Sequence, residues 1–231
     1  CNVKNGNDCG WIGQPHLYKN MEKKFSEFLI TLKSTNTPSA PGFHVVRPIE
    51  GSTVIDEARQ KMYRSGIGML LYLVKHSRPD LANSTRELSK VMDSATEGQW
   101  KELLRVLKYA IDTKNKGLRM KLKRGTWELK TFSDADFAGD KDTRISVTGF
   151  VLYFMGIPIS WRSRGQKGVT LSTTEAEYVA CSEVVKEVVY VVQLLKQMGI
   201  KLKCPIMVHV DNIGAIFLAE NQSTSDRTKH V

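Results

Sequence analysis

Apolar residues recur at helical spacing through the first half of the chain, from about residue 17 to residue 113. We place the predicted helices at about 17–32, 56–75, 79–92 and 96–111. The first nine residues are rich in turn formers and poor in periodic apolar positions, so we expect them to be irregular. Residues 33–55 are rich in Ser, Thr, Pro and Gly, and their composition indicates a linker.

Local sequence signals mark the ends and the weak points of these helices. Pro79 suits the first turn of a new helix, where a missing N–H costs nothing. Thr96 is placed to cap the helix that follows it. Gly66 and Gly68 lie inside the second helical pattern, where a glycine either weakens the helix or allows another segment to approach closely.

After residue 117 the period of the pattern changes to two. The alternation predicts a hairpin over residues 118–131 with its turn at Lys123-Arg124-Gly125. Further patterns predict strands at 149–154, 157–161 and 206–210 and helices at 174–198 and 213–219. From the second strand of the hairpin onward the chain order is β-β-β-α-β-α, which predicts an α/β fold with an antiparallel meander and a crossover to a parallel neighbour.

The positive charge is concentrated in the first half of the chain. The net charge is +10. Residues 1–124 hold 22 Lys and Arg against 12 Asp and Glu, and residues 125–231 hold 12 Lys and Arg against 12 Asp and Glu. A basic region beside a carboxylate-bearing one fits a polyanion that is held in one place and cut in another. A solvated, lysine-rich surface is the alternative explanation.

The cysteines and the apolar runs exclude some classes of protein. The four cysteines form no C-x-x-C pair, so we expect no structural zinc site and a reduced, intracellular protein. Cys181 lies on the apolar face of a predicted helix and is expected to be a small core residue. No run approaches the roughly 18 apolar residues of a membrane span, and we expect no membrane partner. Because the chain begins at Cys1, we expect a fragment.

Acidic residues lie at the ends of three predicted elements. Asp134 and Asp136 follow the first strand of the second half, Glu175 and Glu177 begin its long helix, and Asp211 ends its last strand. Side chains at element ends can converge on one point, and carboxylate oxygens are the ligands that Mg²⁺ prefers. We therefore predict a magnesium carboxylate site that cuts a phosphodiester.

Each of these acids also has a structural explanation. Asp134 and Asp136 are residues that turns favour, and Glu175 and Glu177 would complement the dipole of a helix N-terminus, the explanation we prefer for Glu175. Asp211 with Asn212 could cap the next helix. His209, Trp161 and Tyr178 are expected to be packed side chains. The metal hypothesis is favoured because three acidic sites fall at three element ends.

A series of phrases along the chain carries a family resemblance. The phrases are Tyr63-Arg64-Ser65-Gly66-Ile67-Gly68, Ser77-Arg78-Pro79-Asp80, Ser133-Asp134-Ala135-Asp136-Phe137-Ala138-Gly139-Asp140, Gly149-Phe150-Val151, Ile159-Ser160-Trp161-Arg162-Ser163, Leu171-Ser172-Thr173-Thr174-Glu175-Ala176-Glu177-Tyr178, Asp211-Asn212 and Arg227-Thr228-Lys229-His230. In this order they resemble the polyprotein of copia-type (Ty1/copia) retrotransposons, from the end of the reverse transcriptase into its RNase H domain. The resemblance covers roughly residues 55–231 and, less closely, 11–54.

The resemblance implies an RNase H-like mixed sheet over residues 117–231, preceded by a helical, thumb-like part of a reverse transcriptase over 55–116 and by a linker region over 1–54. It implies hydrolysis of the RNA strand of an RNA–DNA hybrid with two Mg²⁺ ions, which Mn²⁺ can replace. By position in the family phrases, Asp134 would bridge the ions, and Glu177 and Asp211 would each favour one.

Several basic and polar residues are candidates for holding the nucleic acid. Arg144 and the predicted basic loop with Arg162, Arg164 and Lys167 could bind phosphates, although the loop could equally be a solvated one. Asn212 is a further candidate contact. Discrimination for RNA would depend on the 2′-hydroxyl and the wider minor groove of the hybrid.

The resemblance also sets expectations about partners and completeness. It implies the rest of the polyprotein as a partner and a cytoplasmic retrotransposon particle, with the nucleus as the alternative location. A fourth metal-binding Asp is expected beyond Val231, since Asp226 precedes the matching phrase. The polymerase signature, an aromatic residue before x-Asp-Asp, does not occur in this sequence. The alternatives to a nuclease are an inactive nucleic-acid-binding remnant and a related-fold enzyme acting on DNA, against which the phrases argue.

Overall fold

A computed structural model describes residues 2–6, 9–121 and 127–221. The chain forms two compact units, Cys1–Met120 and Lys121–Val231. Among the described residues, no helix is both long enough and apolar enough to cross a membrane. The predicted turn at residues 123–125, Asp226 and the phrase at 227–230 lie outside the described residues.

In the described part of the first unit there are four α-helices, at nearly the predicted places. They are α1 (Pro15–Leu29), α2 (Glu57–His76), α3 (Ala82–Ser89) and α4 (Glu97–Asp112), with a 3-10 turn at Pro79–Leu81 before α3. Thr96 forms the predicted cap, as a capping box with Gln99. The apolar faces of the helices meet in one buried cluster that includes Phe25, Tyr63 and Trp100.

The start of the chain is not irregular, and that prediction is wrong. Strands β1 (Asn2–Gly6) and β2 (Cys9–Gly13) pair antiparallel, with Val3 opposite Ile12. Strand β3 (Leu118–Lys121) joins this sheet beside β2. The predicted hairpin requires it to pair with the strand that follows it, so the hairpin prediction is wrong. Strands of four or five residues offer too few positions for an alternating pattern to be recognised.

The phrase around Arg78 builds a buried polar network in the first unit. Arg78 is only 1% exposed, and its guanidinium donates two hydrogen bonds of 2.9 Å to the Asp80 carboxylate. It also donates to the Tyr18 hydroxyl at 3.0 Å and to the Thr113 hydroxyl at 2.8 Å. A buried guanidinium needs such partners. Arg78 and Asp80 of the family phrase therefore have a structural role in the first unit.

The two glycines of α2 have different surroundings, and we expect different responses to alanine. A Cβ at Gly68 would meet nothing within 4 Å, whereas one at Gly66 would lie 3.1 Å from Leu103 and 3.2 Å from Phe25. Gly68→Ala should raise the free energy of unfolding by about 0.5–1 kcal/mol, since alanine has the better helix propensity. Gly66→Ala should gain less or lose stability, because two core side chains must move. Urea unfolding of both variants followed by circular dichroism tests this, and equal gains would contradict it.

The second unit is an α/β structure with a mixed sheet. Its elements are β4 (Leu129–Asp136), β5 (Val147–Phe154), β6 (Ile157–Gly165), α5 (Thr173–Gln197), β7 (Met207–His209) and α6 (Ile213–Glu220). The strand order is β6-β5-β4-β7; β4, β5 and β6 are antiparallel neighbours, and β7 runs parallel to β4. The predicted meander and parallel crossover are therefore confirmed.

Helix α5 covers one face of this sheet. Leu129 of β4 and Leu152 of β5 pack against Val188, Val191 and Leu195 of the helix. Burial along β4 alternates through Ser133, as expected for a strand with one covered face. This packing brings the first turns of α5 to the end of β4 that carries Asp134.

Candidate metal centre

Three of the predicted acidic residues lie together at one edge of the sheet. Asp134 lies near the end of β4, Glu177 in the second turn of α5, and Asp211 just after β7. Each offers one carboxylate oxygen, and these three oxygens lie within 4.8 Å of one another. The parallel pairing of β4 and β7 brings the carboxyl ends of both strands to the same edge, which explains the convergence.

Glu177 is the buried member of this carboxylate cluster, with 6% of its surface exposed. Its Oε1 accepts a hydrogen bond of 3.0 Å from the Ala135 amide. The pairing of β7 with β4 ends at Phe132 and His209, so Ala135 lies beyond the end of that ladder. Glu177 thus satisfies a main-chain donor that β7 does not reach.

The second oxygen of Glu177 is buried and has no hydrogen-bond partner among the described residues. Burial raises the pKa of this carboxyl above its ordinary value, and the Asp134 and Asp211 charges raise it further, against the lowering effect of the Ala135 hydrogen bond. An unsatisfied buried acceptor is costly. A cation held among the three carboxylates would satisfy it and would relieve their mutual repulsion, so the donor set fits a hard divalent ion.

Glu175 has the structural role that we preferred for it. Its amide donates to the Ser172 hydroxyl at 3.1 Å, and its carboxylate accepts from the Leu171 amide at 2.7 Å. These bonds satisfy main-chain donors at the start of α5. Among the described residues, only Asp134, Glu177 and Asp211 form a potential metal-binding group, and Glu175 is outside it.

The start of α6 fixes the position of Asp211. Asn212 caps this helix, with its side-chain oxygen accepting from the Ala215 amide at 2.9 Å. A Cβ at Gly214 would lie 2.9 Å from the Thr174 hydroxyl, which shows how closely α6 approaches the first turn of α5. This close approach holds Asp211 beside Glu177.

Asp136, the last residue of β4, and Asp140 flank the turn that follows this strand. The Asp136 carboxylate occupies the space into which a side chain at Gly139 would project. Asp140 accepts hydrogen bonds from the amides of Asp142 and Thr143, at 3.1 and 3.0 Å. The turn explanation therefore applies to these two acids and leaves Asp134 as the residue of this stretch in the carboxylate cluster.

The predicted basic loop is largely a strand. Arg162 and Arg164 lie within β6, opposite Phe150 and Thr148, on the side of the sheet that α5 covers. With Lys167 they line a cavity of about 250 Å³ that also touches Glu175 and Glu183 of α5. The loop prediction was wrong because an alternating Ser and Arg sequence has no apolar residues to reveal a strand.

Asp134 and the two arginines of β6 lie on opposite faces of the sheet. The side chain of Asp134 is exposed, unlike those of Thr131 and Ser133, which are buried on the α5 side. Arg144 lies in the turn between β4 and β5, exposed and with a positive φ of 58°. Their roles in binding nucleic acid stay a prediction.

The exposed sheet face carries an aromatic group that the sequence interpretation missed. His209, expected to be packed, is exposed and stacks on Phe132 with a centroid distance of 4.8 Å. The Lys130 ammonium lies 5.1 Å from the centroid of the same ring. Phe132 and His209 are opposite each other in the parallel ladder, a pairing that only the strand register reveals.

Comparison with known proteins identifies long relatives. The chain is 38% identical to the retrovirus-related Pol polyprotein from transposon RE1 of Arabidopsis thaliana over 88% of its length, and 32% identical to that from transposon TNT 1-94 of Nicotiana tabacum over 96%. It spans only 13% and 16% of these two proteins. It is also 41% identical, over 55% of its length, to secreted RxLR effector protein 161 of Plasmopara viticola, of which it covers 89%. No family model and no solved structure matches the chain.

Proposed function

Because the chain belongs to the Pol polyproteins of copia-type retrotransposons, we propose that its second unit is an RNase H-like nuclease that hydrolyses the RNA strand of RNA–DNA hybrids. The observation that carries the proposal is the convergence of Asp134, Glu177 and Asp211 from three elements onto one point. The mixed sheet, with its meander and parallel fourth strand, supports an RNase H-like fold.

The chemistry of the donors supports Mg²⁺ as the cofactor, with Mn²⁺ as a substitute. All three ligands are carboxylates, and the second oxygen of Glu177 has no partner in the part of the chain that the structure describes. Two such ions, when bound, activate a water molecule and stabilise the leaving oxygen of an in-line displacement. Asp134, which comes from the central strand β4, would hold both ions, while Glu177 and Asp211 would each hold one.

The protein's own contribution is to hold these oxygens in place. The Ala135 amide fixes one oxygen of Glu177, and the cap of α6 fixes the main chain after Asp211. Both supports are main-chain contacts of regular elements, which position ligands more rigidly than loops do. The carboxylates are therefore held close together despite their repulsion, ready to bind a divalent cation.

Substrate and partners follow from the same proposal. The positive charge of the chain would attract a polyanion, with Arg144, Arg162, Arg164 and Lys167 as phosphate contacts. The helical residues 55–116 would act as a thumb-like support, and the remainder of the polyprotein, which the relatives contain, would be the natural partner. We place the activity in a cytoplasmic retrotransposon particle, with the nucleus as the alternative.

The test is cleavage of a hybrid with an end-labelled RNA strand by the purified chain in Mg²⁺. We expect cutting of the RNA strand that EDTA abolishes, and no cutting of the same RNA when it is single-stranded. Binding of the hybrid without cleavage would identify a nucleic-acid-binding remnant instead. Absence of both would overturn the proposal for this chain.

A further inference from the structure

We propose that Gln166 is a positioning residue for Glu177, an inference that builds on the proposed metal site. Gln166 follows the last residue of β6 and is only 9% exposed. Its side-chain nitrogen donates to the Ala176 carbonyl at 2.9 Å and to the Thr148 hydroxyl at 3.1 Å. A single amide thus ties the first turns of α5 to β5.

The hydrogen bond from Gln166 can position Glu177 because of the place in α5 at which it is made. Ala176 immediately precedes Glu177, so the hydrogen bond from Gln166 and the one from Ala135 to Glu177 hold adjacent residues of the same helical turn. The first comes from the β6 side of the sheet and the second from β4. Together they fix both the height and the rotation of this turn above the sheet.

The main chain of Gln166 is fixed as well. Its amide donates to the Ser146 carbonyl at 2.8 Å, and the Ser146 hydroxyl shares a hydrogen bond of 2.7 Å with Thr170. The same hydroxyl accepts from the Ala138 amide at 3.0 Å. The support of Glu177 therefore extends to the turn that follows β4 and to the segment that leads into α5.

The matched control is a second side-chain contact to the same helix, made from within β6. The Ser160 hydroxyl of β6 donates to the Glu187 carboxylate of α5 at 2.8 Å, ten residues beyond Glu177. Ser160→Ala removes a strand-to-helix hydrogen bond without touching the turn that carries Glu177. Gln166→Met keeps the length of the side chain and removes both donated hydrogen bonds.

The first measurement is Mn²⁺ binding followed by electron paramagnetic resonance. Substitution of groups that orient metal ligands typically weakens metal binding 10- to 100-fold, so we expect at least a tenfold loss for Gln166→Met. Ser160→Ala should bind as the unsubstituted chain does. Unchanged binding by Gln166→Met, or an equal loss in Ser160→Ala, would overturn the proposal.

The second measurement needs neither metal nor catalysis. Gln166→Met should speed hydrogen exchange of the Ala135 amide, because Glu177 no longer holds it, whereas Ser160→Ala should leave that exchange unchanged. If the unsubstituted chain binds no Mn²⁺, the proposed function is wrong. The hydrogen exchange of the Ala135 amide still decides whether Gln166 positions Glu177. If Gln166→Met does not fold, Thr148→Val takes its place, and we expect a smaller increase in the exchange rate of the Ala135 amide. Equal exchange rates of this amide in Thr148→Val and in the unsubstituted chain would overturn the proposal.

Discussion

Replacing Asp134 with asparagine is expected to reduce Mg²⁺-dependent cleavage of the hybrid by more than about a hundredfold. Loss of residues that merely orient a ligand costs 10- to 100-fold, and Asp134 is proposed as the ligand shared by both ions. Asparagine keeps the shape of the side chain and one carbonyl oxygen but removes the charge. Asp134 is exposed near the end of β4, so the substitution leaves the packed core of the unit unchanged.

Asp136→Asn is the matched control for this experiment. Asp136 lies two residues further along the same strand, is also exposed, and is outside the carboxylate cluster. It undergoes the same change of charge and shape. Cleavage rates under single-turnover conditions should fall for Asp134→Asn and stay within about threefold for Asp136→Asn, since surface substitutions outside a site have small effects. A similar loss in both variants would mean that overall charge, and not metal ligation, matters.

The long elements could be predicted because their packing leaves a periodic pattern. Helices α2, α4 and α5 each bury one face, and their apolar residues recur at helical spacing. Strands without that pattern were missed or cut short. The Arg162 end of β6 carries no apolar alternation, and β1 depends on pairing with β2.

The three acids could be proposed from sequence, but their selection required geometry. Glu175 and Glu177 are two residues apart on a helix and therefore point in different directions. Only the structure shows that Glu175 is bonded to Leu171 while Glu177 turns toward Ala135. Gln166 was overlooked because it lies among basic residues, and its two partners are distant in sequence.

Glu177→Gln is expected to have opposite effects on stability and on metal binding. Glutamine can still accept the hydrogen bond from Ala135. The substitution removes a buried carboxylate, whose pKa is raised by burial and by the neighbouring Asp134 and Asp211 carboxylates. Without metal, the variant should be more stable at pH 7, by about 0.5–2 kcal/mol, the usual size of a single stabilising substitution. Its affinity for Mn²⁺ should fall by more than about a hundredfold, because a ligand is lost.

The pH dependence identifies the cause of this gain. Between the ordinary glutamate pKa of 4.5 and the raised value, the folded protein binds more protons at Glu177 than the unfolded chain does. Stability of the unsubstituted chain from this group therefore falls as pH rises through that interval. The gap between the two proteins should be present at neutral pH and should close below about pH 4.5, where Glu177 is protonated in both states.

Thermal unfolding across this pH range, with and without Mg²⁺, measures both effects. Magnesium should stabilise the unsubstituted chain, since a ligand that binds only the folded state raises its stability, and should leave the variant unchanged. Glu175→Gln provides the control: it removes a charge at the helix N-terminus, where a carboxylate is favourable by about 0.3–1 kcal/mol, so it should be slightly less stable and keep its metal affinity. A Glu177→Gln protein less stable than the unsubstituted chain at every pH would mean that the buried Glu177 carboxylate is not strained by its neighbours, which removes the main physical argument for a cation among the three acids.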